Sequence, residues 1–343
     1  MAFCDSLKLE KGMYNVGGKS FTDVLEELDP SENYKGTSLE NLDAYQRQLK
    51  RFNIKVSGAG CDMVEKFFST SDSAVLFPEF LTRAVKQGIQ ASDVLSSIVA
   101  ATTKIEGVDY RSIKSTTASS SDEYIAEGGS LRSVNVTKNS GLVSLKKHGR
   151  LLSSSYEALR FQNLDVIAVI LKQIGMDIAK EQLKDAVTEL LGSGDTAAAK
   201  ITATYASGAT KPALSYSHLL ELWKGLTPYK LNVMLASKGT INDILSLSEM
   251  RDAVAGLDFQ GTGNIVTPMG AKLILCDSVS ANNIIGLDKD FALQMVQSGD
   301  VVVEYDKVID KQLERAGITM TTGFSKIFGD AVKYLDYSGN SEG

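Results

Sequence analysis

The sequence is poor in the residues that most often build chemical sites. Its 343 residues include two histidines, three cysteines and one tryptophan. A Cys/His metal site needs a close cluster of ligands, but His148 and His218 lie far along the chain from each other and from Cys4, Cys61 and Cys276. An odd number of scattered cysteines also argues against a disulfide framework and favours a reducing cytoplasm. We therefore expect no metal site, and we interpret both histidines as ordinary surface or hinge residues.

Long apolar runs and an excess of basic charge are also missing. No apolar run approaches the ~18–20 residues that a membrane span requires, and the N-terminus has no basic start followed by an apolar core, so we expect neither a membrane segment nor a secretory signal. The formal net charge is −6, whereas a protein that grips a phosphate backbone is usually basic. With 43% hydrophobic and 23% charged residues, the composition is typical of a folded soluble protein.

Catalytic motifs are missing as well. The segment MYNVGGKS at 13–20 ends like a phosphate-binding loop, but Met13 stands where the first glycine is required and no apolar strand precedes it. Gly192 and Gly194 follow a predicted helix instead of opening one, so we interpret them as a helix stop. Asp288 and Asp290 fit a solvated turn or cap. We therefore predict no catalytic residue, no cofactor-binding residue, and a protein that is not an enzyme.

One long amphipathic helix dominates what is present. Between Asn163 and Leu191 apolar residues recur at spacings of three and four, through Leu164, Ile167, Leu171, Ile174 and Ile178. No proline interrupts the run, Asn163 is a suitable N-cap, and Gly192 supplies the stop. At roughly 1.5 Å per residue the helix would be about 43 Å long. We expect it to act as a spine, with Ile174 buried in the middle of its apolar face.

Two shorter helical patterns carry further expectations. In residues 1–57, apolar faces at 21–28 and 39–52 are too small to fold alone, so each should dock on another element. Thr37 and Glu40 have the spacing of a capping box for the second. Further along, Trp223 lies among four leucines of one helical segment and is interpreted as a core residue; the leucines are Leu219, Leu220, Leu222 and Leu226.

Residues 108–147 are rich in Ser, Thr and Gly and predict a projecting hairpin. Residues 131–138 alternate in strand fashion, residues 109–116 can pair with them, and the tip falls near 122–129. At this tip Tyr124 and Ile125 are apolar among acidic neighbours, which fits either a local turn plug or a contact with a partner.

The hairpin region also differs from the rest of the chain in charge. Residues 108–150 carry seven basic and four acidic side chains in a chain whose net charge is −6. A basic hairpin on an acidic body suggests docking onto a neighbouring subunit. The predicted contact residues are Arg111, Lys114, Tyr124, Ile125, Arg132 and Lys138.

The order of these parts resembles the major capsid proteins of tailed bacteriophages, which have the Hong Kong 97 type fold. The resemblance covers most of the chain from about residue 37. No single stretch is diagnostic of the family, so the resemblance rests on the order in which several diffuse sequence patterns follow one another. They are DAYQRQLKRFNIKVSG (43–58), LFPEFLTRAVKQGI (76–89), the polar loop leading into GRLLSSSYEALRFQNLDVIAVILKQIG (149–175), IIGLDKDFALQMV and VVVEYD (284–306), and GITMTTGFSKIFGDAVKYLDY (317–337).

The resemblance implies an α+β fold with a long spine helix, an extended E-loop hairpin, and peripheral and axial domains. The implied division is an N-terminal arm at 1–57, a segment leading into the peripheral domain at 58–107, the E-loop at 108–147, the peripheral domain with the spine helix at 148–215, the axial domain at 216–297, and the closing strands of the peripheral domain at 298–343.

The resemblance also implies a function. Such proteins assemble with themselves as pentamers and hexamers into an icosahedral shell around double-stranded DNA, which they hold without sequence-specific contacts. A separate scaffold, a portal and a maturation protease are the implied partners, and the shell is assembled in the host cytoplasm and becomes the virion capsid. Two alternatives stay open: a non-viral, encapsulin-like compartment, and a soluble enzyme with an unrecognised site. The Ser/Thr-rich loop and the long N-terminal arm favour the phage capsid.

Overall fold

The structure is a computed structural model of the chain. It describes residues 6–116, 135–138, 141–192, 197–205, 213–251, 267 and 269–339, with the backbone alone at 15, 114–116, 135–138, 159 and 251. The helices are α1 (Phe21–Leu28), α2 (Ala44–Arg51), α3 (Ser71–Ala74), α4 (Phe77–Ala91), α5 (Tyr156–Arg160), α6 (Leu164–Leu191), α7 (Tyr216–Gly225), α8 (Lys238–Ser246) and α9 (Ser248–Arg251). None of these helices is both long and apolar enough to cross a membrane.

The strands form three sheets and alternate with the helices in an α+β arrangement. They are β1 (Val99–Ile105), β2 (Ile113–Thr116), β3 (Asn135–Lys138), β4 (Leu145–Ser155), β5 (Ala199–Thr202), β6 (Val233–Ala236), β7 (Lys272–Leu275), β8 (Asn283–Leu287), β9 (Leu293–Val308), β10 (Leu313–Lys326) and β11 (Val332–Asp336). One sheet has the order β1-β9-β10-β4, a second has the order β5-β11-β8-β6-β7, and β2 pairs with β3. In the second sheet β5 and β11 are parallel, as are β6 and β7, while β8 runs antiparallel to β11 and β6.

The chain divides into two compact units, each built from several segments. Unit 1 comprises Met1–Ser92, Lys147–Lys180 and Gly299–Thr321. Unit 2 comprises Asp93–Lys146, Glu181–Ser298 and Thr322–Gly343. The long elements α6, β4, β9 and β10 therefore contribute residues to both units. The finer six-part division at 57, 107, 147, 215 and 297 stays a prediction.

In unit 1 the N-terminal segment docks on α4, which is what its small apolar faces require. The hydroxyl of Tyr14 donates to the carbonyl of Val75 at 2.7 Å, and its ring stacks on Phe21. Arg83 on α4 donates to Asp43, next to α2, at 2.7 Å and to Thr22 of α1 at 2.9 Å. Short helices that cannot bury themselves are thereby fixed by polar contacts along one longer helix.

A buried arginine joins α1, α2 and the turn between them. The Arg47 side chain is fully buried, and its Nε lies 3.1 Å from Oδ2 of the buried Asp29. Its remaining donors reach Ser31 Oγ at 2.9 Å and the Leu42 carbonyl at 2.7 Å, and the guanidinium lies over the Tyr34 ring. A buried charge is tolerated only when it is paired and hydrogen-bonded in this way.

The capping box predicted from Thr37 and Glu40 is wrong. Helix α2 begins later, at Ala44, and Asp43 caps it by accepting from the Gln46 amide at 2.8 Å while the Gln46 side chain accepts from the Asp43 amide. Thr37 instead donates to the Tyr34 carbonyl at 2.6 Å. Both pairs have capping-box spacing, and the pair next to the periodic apolar residues is the one that is used.

The predicted spine is confirmed as α6, a helix of 28 residues from Leu164 to Leu191. Leu164, Leu171 and Ile178 are completely buried, and the helix ends at Gly192, which has a φ of 65°. The expectation that Ile174 is buried is wrong, because Ile174 is only half-buried and the neighbouring Gly175 takes the central position.

Gly175 takes that position because α4 and α6 cross with their backbones in contact. A Cβ at Gly88 would lie 2.1 Å from the Lys172 carbonyl oxygen, and a Cβ at Gly175 would lie 2.2 Å from the Val85 carbonyl oxygen. Each helix therefore presents a glycine to the other at the crossing.

In unit 2 a continuous apolar core lies between α7, α8 and the second sheet. Its central side chains are fully buried: Leu219, Leu222, Leu226, Met234, Ile244, Ile284 and Leu335. Helix α7 packs against β5 and β11, and the Tyr337 hydroxyl donates to Asp243 of α8 at 2.9 Å.

The prediction that Trp223 belongs to this core is wrong, because its side chain is 53% exposed. Leu219 and Leu222 fill the inward face of α7, whereas Leu220 and Trp223 are three residues apart on the outward face. The leucines of this segment lie on two different faces of one helix, so their number alone does not place Trp223 on the buried face.

Candidate subunit interface

The predicted hairpin exists as a separate antiparallel ladder. Ile113 pairs with Lys138, Lys114 with Thr137, Ser115 with Val136 and Thr116 with Asn135. No other described strand joins this pair. An isolated two-stranded hairpin is marginally stable in water, so we expect this hairpin to pack on another surface.

The base of the hairpin is anchored within unit 2. The Val143 amide donates to the Tyr110 carbonyl at 2.8 Å, and the Tyr110 hydroxyl accepts from the Gln294 side chain at 2.8 Å. On the preceding turn, Ser298 donates to the Gly107 carbonyl at 2.6 Å. These bonds fix the position at which the β2–β3 hairpin, called the ribbon below, leaves the rest of unit 2.

A polar cavity of about 240 Å³ lies beside this base, lined by residues of the hairpin, α6 and β10. Lys146 pairs with Asp185 at 2.8 Å across its wall. Burial lowers the pKa of the neighbouring Lys326, and the nearby Glu189 carboxylate partly opposes this effect. Among the described residues, no three His, Cys, Asp or Glu side chains come together as a metal site, and we assign no ligand to the cavity.

The six predicted contact residues are placed unequally by the structure. Arg111 is exposed at the base of the hairpin. Lys114 and Lys138 lie in the ladder, where the register pairs Lys114 with Thr137 and Lys138 with Ile113. Tyr124, Ile125 and Arg132 lie outside the described residues, so whether the six form one contact stays a prediction.

The residues examined for chemistry have structural roles where the structure describes them. His218 is buried, so the expectation of a surface or hinge residue is wrong for it; its Nδ1 accepts from the Ser215 amide, and its Nε2 lies 2.9 Å from the Thr204 carbonyl oxygen. Burial raises the pKa of the Cys276 thiol, which works against the reactive thiolate form. Asp288 begins a turn, as predicted, and accepts from the Asp290 amide. It is buried and not solvated, and the Lys230 amide and the Asn232 side chain also donate to it.

The segment that ends like a phosphate-binding loop is used to start a helix. Ser20 is the N-cap of α1, where its hydroxyl accepts from the Asp23 amide and the Asp23 carboxylate accepts from the Ser20 amide. Lys19, the residue that would face a phosphate, pairs with Glu27 at 2.5 Å. Both side chains that a nucleotide would need are therefore already engaged.

This capping role makes a direct prediction. Ser20→Ala should lower the free energy of unfolding by about 1 kcal/mol, as loss of a helix N-cap usually does. The measurement is chemical denaturation followed by circular dichroism. Ser57→Ala, at an exposed serine that caps no helix, is the control. An unchanged stability together with lost nucleotide binding would instead restore the phosphate-loop interpretation.

Several large apolar side chains are exposed on described elements, and sequence reasoning did not separate them from the core. On the first turns of α6, Val166, Val169 and Ile170 are 47%, 66% and 44% exposed. Their spacing puts them on one face of the helix, opposite to the buried face. Exposed apolar clusters of this kind mark interaction surfaces. In the sequence they can be recognised because the helix has more apolar residues than its buried face can hold.

Comparisons with known proteins agree on one family and one fold. The family model of phage capsid proteins matches residues 139–318, which is just over half of the 343-residue chain. No curated protein sequence is significantly similar to the chain.

Solved structures supply the fold. The virus-like particle from Pyrococcus furiosus has 15% sequence identity and a TM-score of 0.53, over 75% of this chain and 98% of that one. The capsid of a native GTA particle has 14% identity and a TM-score of 0.54, over 71% of this chain and 90% of that one. The predicted α+β fold of the Hong Kong 97 type is thereby confirmed, and, because the family model spans more than half of its sequence, the chain belongs to the phage capsid protein family.

Proposed function

We propose that the chain is a major capsid protein that assembles with itself, as pentamers and hexamers, into an icosahedral shell enclosing phage double-stranded DNA. The observation that carries the proposal is the β2–β3 ribbon. It is anchored at its base, pairs with no other described strand, and belongs to a chain of the capsid family. A second copy of the chain is the surface on which such a ribbon becomes stable.

The predicted contact residues then have a shared role. Arg111, Lys114, Arg132 and Lys138 are the basic side chains of the ribbon, and Tyr124 and Ile125 are its apolar ones. Four acidic side chains of the same segment offset these four, so the net positive charge of residues 108–150 comes from Lys146, Lys147 and Arg150 at the foot of the ribbon. The rest of the neighbouring copy is acidic, so long-range attraction would draw this end of the ribbon toward it. Each exposed pair contributes only ~0–1 kcal/mol, but the contact is repeated in every subunit of a shell.

The remaining partners follow from the family. A separate scaffold would guide assembly, a portal would occupy one vertex, and a maturation protease would process the shell. Assembly would take place in the host cytoplasm, and the chain would end in the virion capsid. Because the chain has a net charge of −6, its attraction for DNA is weak and non-specific, which lets a packaged genome move.

The contents of purified particles test this proposal against its alternatives. The phage reading predicts megadalton particles from infected cells that protect double-stranded DNA from nuclease. Particles that hold an enzyme cargo and no DNA would support the encapsulin-like compartment. A small oligomer that turns over a substrate would support the enzyme and contradict both shell readings.

The charge of the ribbon makes a salt-dependent prediction. Reversing Arg132 and Lys138 to Glu should reduce the yield of shells, most strongly at low salt, because screening of exposed charges is weakest there. The measurement is particle yield by sedimentation at several salt concentrations. Reversing two exposed lysines of the N-terminal segment, Lys35 and Lys55, is the control. Equal yields from both double variants at low salt would show that ribbon charge does not guide assembly.

A further inference from the structure

We infer that unit 2 carries two complementary surfaces, one on the helix that covers its five-stranded sheet and one on an outer strand of that sheet, through which one copy of the chain contacts the next in a ring. The α7 patch consists of Leu220 and Trp223 with the adjacent Lys224. The β7 patch consists of Leu275 with Asp277. The inference rests on the proposed self-assembly and names the faces that meet.

The α7 patch is an apolar surface that the subunit itself does not use. Leu219, Leu222 and Leu226 are completely buried under the helix, whereas Leu220 is 41% and Trp223 53% exposed on its outer side. Tryptophan supplies a large apolar area and one N–H donor, and it is enriched among the residues that dominate binding energy at interfaces. Trp223 is the only tryptophan in the chain.

The β7 patch lies on an edge strand. Strand β7 ends the order β5-β11-β8-β6-β7, so among the described strands β6 is its one neighbour. Leu273 and Ile274 are buried, while Leu275 is 48% exposed. An apolar side chain on an open edge is a contact surface that monomeric proteins normally avoid.

The two patches belong to different parts of one sheet. Helix α7 covers the face of the sheet: it packs on β5 and β11, and a Cβ at Gly286 of the central strand β8 would lie 3.0 Å from the Leu222 side chain of α7. Strand β7, in contrast, is an outer strand of the sheet. A closed ring needs this arrangement, because a head-to-tail contact joins two different patches of the same subunit.

Charge favours a second copy as the occupant and sets the direction of the contact. Lys224 follows Trp223 directly, and Asp277 lies two residues beyond Leu275; both are exposed. The other charged residues of these two elements are also opposite in sign: the half-buried Glu221 on α7 and the exposed Lys272 on β7. Joining α7 to β7 sets Lys224 near Asp277, whereas joining two α7 patches would bring two Lys224 side chains together.

The fluorescence of the single tryptophan tests the inference. Unassembled subunits and closed shells of the full chain are separated by sedimentation, and their emission and acrylamide quenching are compared. Burial of Trp223 between copies should shift its emission to shorter wavelength and lower its quenching several-fold. Identical emission and quenching in shells and subunits would overturn the inference and leave the proposed function standing. A chain that forms neither rings nor shells would contradict both.

Charge exchange identifies the occupant of the α7 patch. Lys224→Asp and Asp277→Lys should each lower shell yield about tenfold, while the double variant should recover most of the wild-type yield. Far-ultraviolet circular dichroism confirms that all three variants fold. If Trp223 is protected in shells but the double variant does not recover, something other than the β7 patch covers it, and the inference fails.

Discussion

Alanine at Gly88 or at Gly175 should leave subunits that barely fold. At the crossing of α4 and α6 a Cβ on Gly88 would lie 2.1 Å from the Lys172 carbonyl oxygen, and one on Gly175 would lie 2.2 Å from the Val85 carbonyl oxygen. Real Cβ atoms do not approach other atoms this closely, and the obstructing atoms are backbone. The helices must therefore separate, which opens the packing along both of them.

The expected loss is roughly 3 kcal/mol or more for each variant, at the upper end of the usual cost of overpacking. Chemical denaturation followed by circular dichroism measures it. Gly239→Ala is the matched control, because Gly239 lies in α8 with open space around its Cβ position, where alanine is the better helix former. If Gly88→Ala and Gly175→Ala were as stable as this control, the close helix crossing would be wrong.

Replacing residues 117–134 by a short Gly-Ser turn should give folded subunits that cannot close stable shells. The change keeps both paired strands, Ile113–Thr116 and Asn135–Lys138, so the base of the hairpin stays anchored. It removes the apolar and basic residues proposed to reach the next copy, including Tyr124, Ile125 and Arg132.

Sedimentation measures the particle yield of this variant, and circular dichroism confirms its fold. A second variant keeps the full length but carries Tyr124→Ser and Ile125→Ser. It distinguishes the effect of removing these two apolar side chains from the effect of shortening the loop. We expect a large loss of particle yield for the shortened loop and a smaller loss for the double serine variant. Normal shells from the shortened loop would show that the ribbon does not clamp neighbouring subunits.

The sequence predicted the elements whose signal is local. The limits of α6 were predicted within one residue at its start, because an unbroken period and a glycine stop are both visible in the sequence. The β2–β3 pairing followed from alternation in a Ser/Thr-rich stretch. The pairing of Arg47 with Asp29 could not be predicted, because the partners are 18 residues apart and neither has a distinctive neighbourhood.

The errors share one physical cause, which is that periodicity gives the apolar positions of a helix but not what each position faces. Ile174 was predicted to be buried from its place in the apolar stripe, although the residue that meets the backbone of α4 is its neighbour Gly175. Trp223 was assigned to the core, although α7 needs only its leucines there. In a protein that assembles with itself, some apolar side chains are exposed in the single subunit and buried against another copy. A helix with more apolar residues than one buried stripe needs therefore indicates a contact surface.

Only the outline of the candidate interface could be predicted from the sequence. Residues 108–147 could be recognised as a basic, projecting hairpin, and the structure places its ladder and its anchored base. The α7 patch was missed because exposure depends on which side of the helix meets the sheet, and this is decided by strands that lie far away in the sequence.

Electron microscopy of the purified full-length chain at high concentration tests the central claim most directly. Self-assembly through the ribbon and the ring contact predicts closed shells, or rings of five and six copies, built from subunits that carry the projecting ribbon across a neighbour. A uniform population of monomers or dimers at every concentration and salt condition would contradict the account.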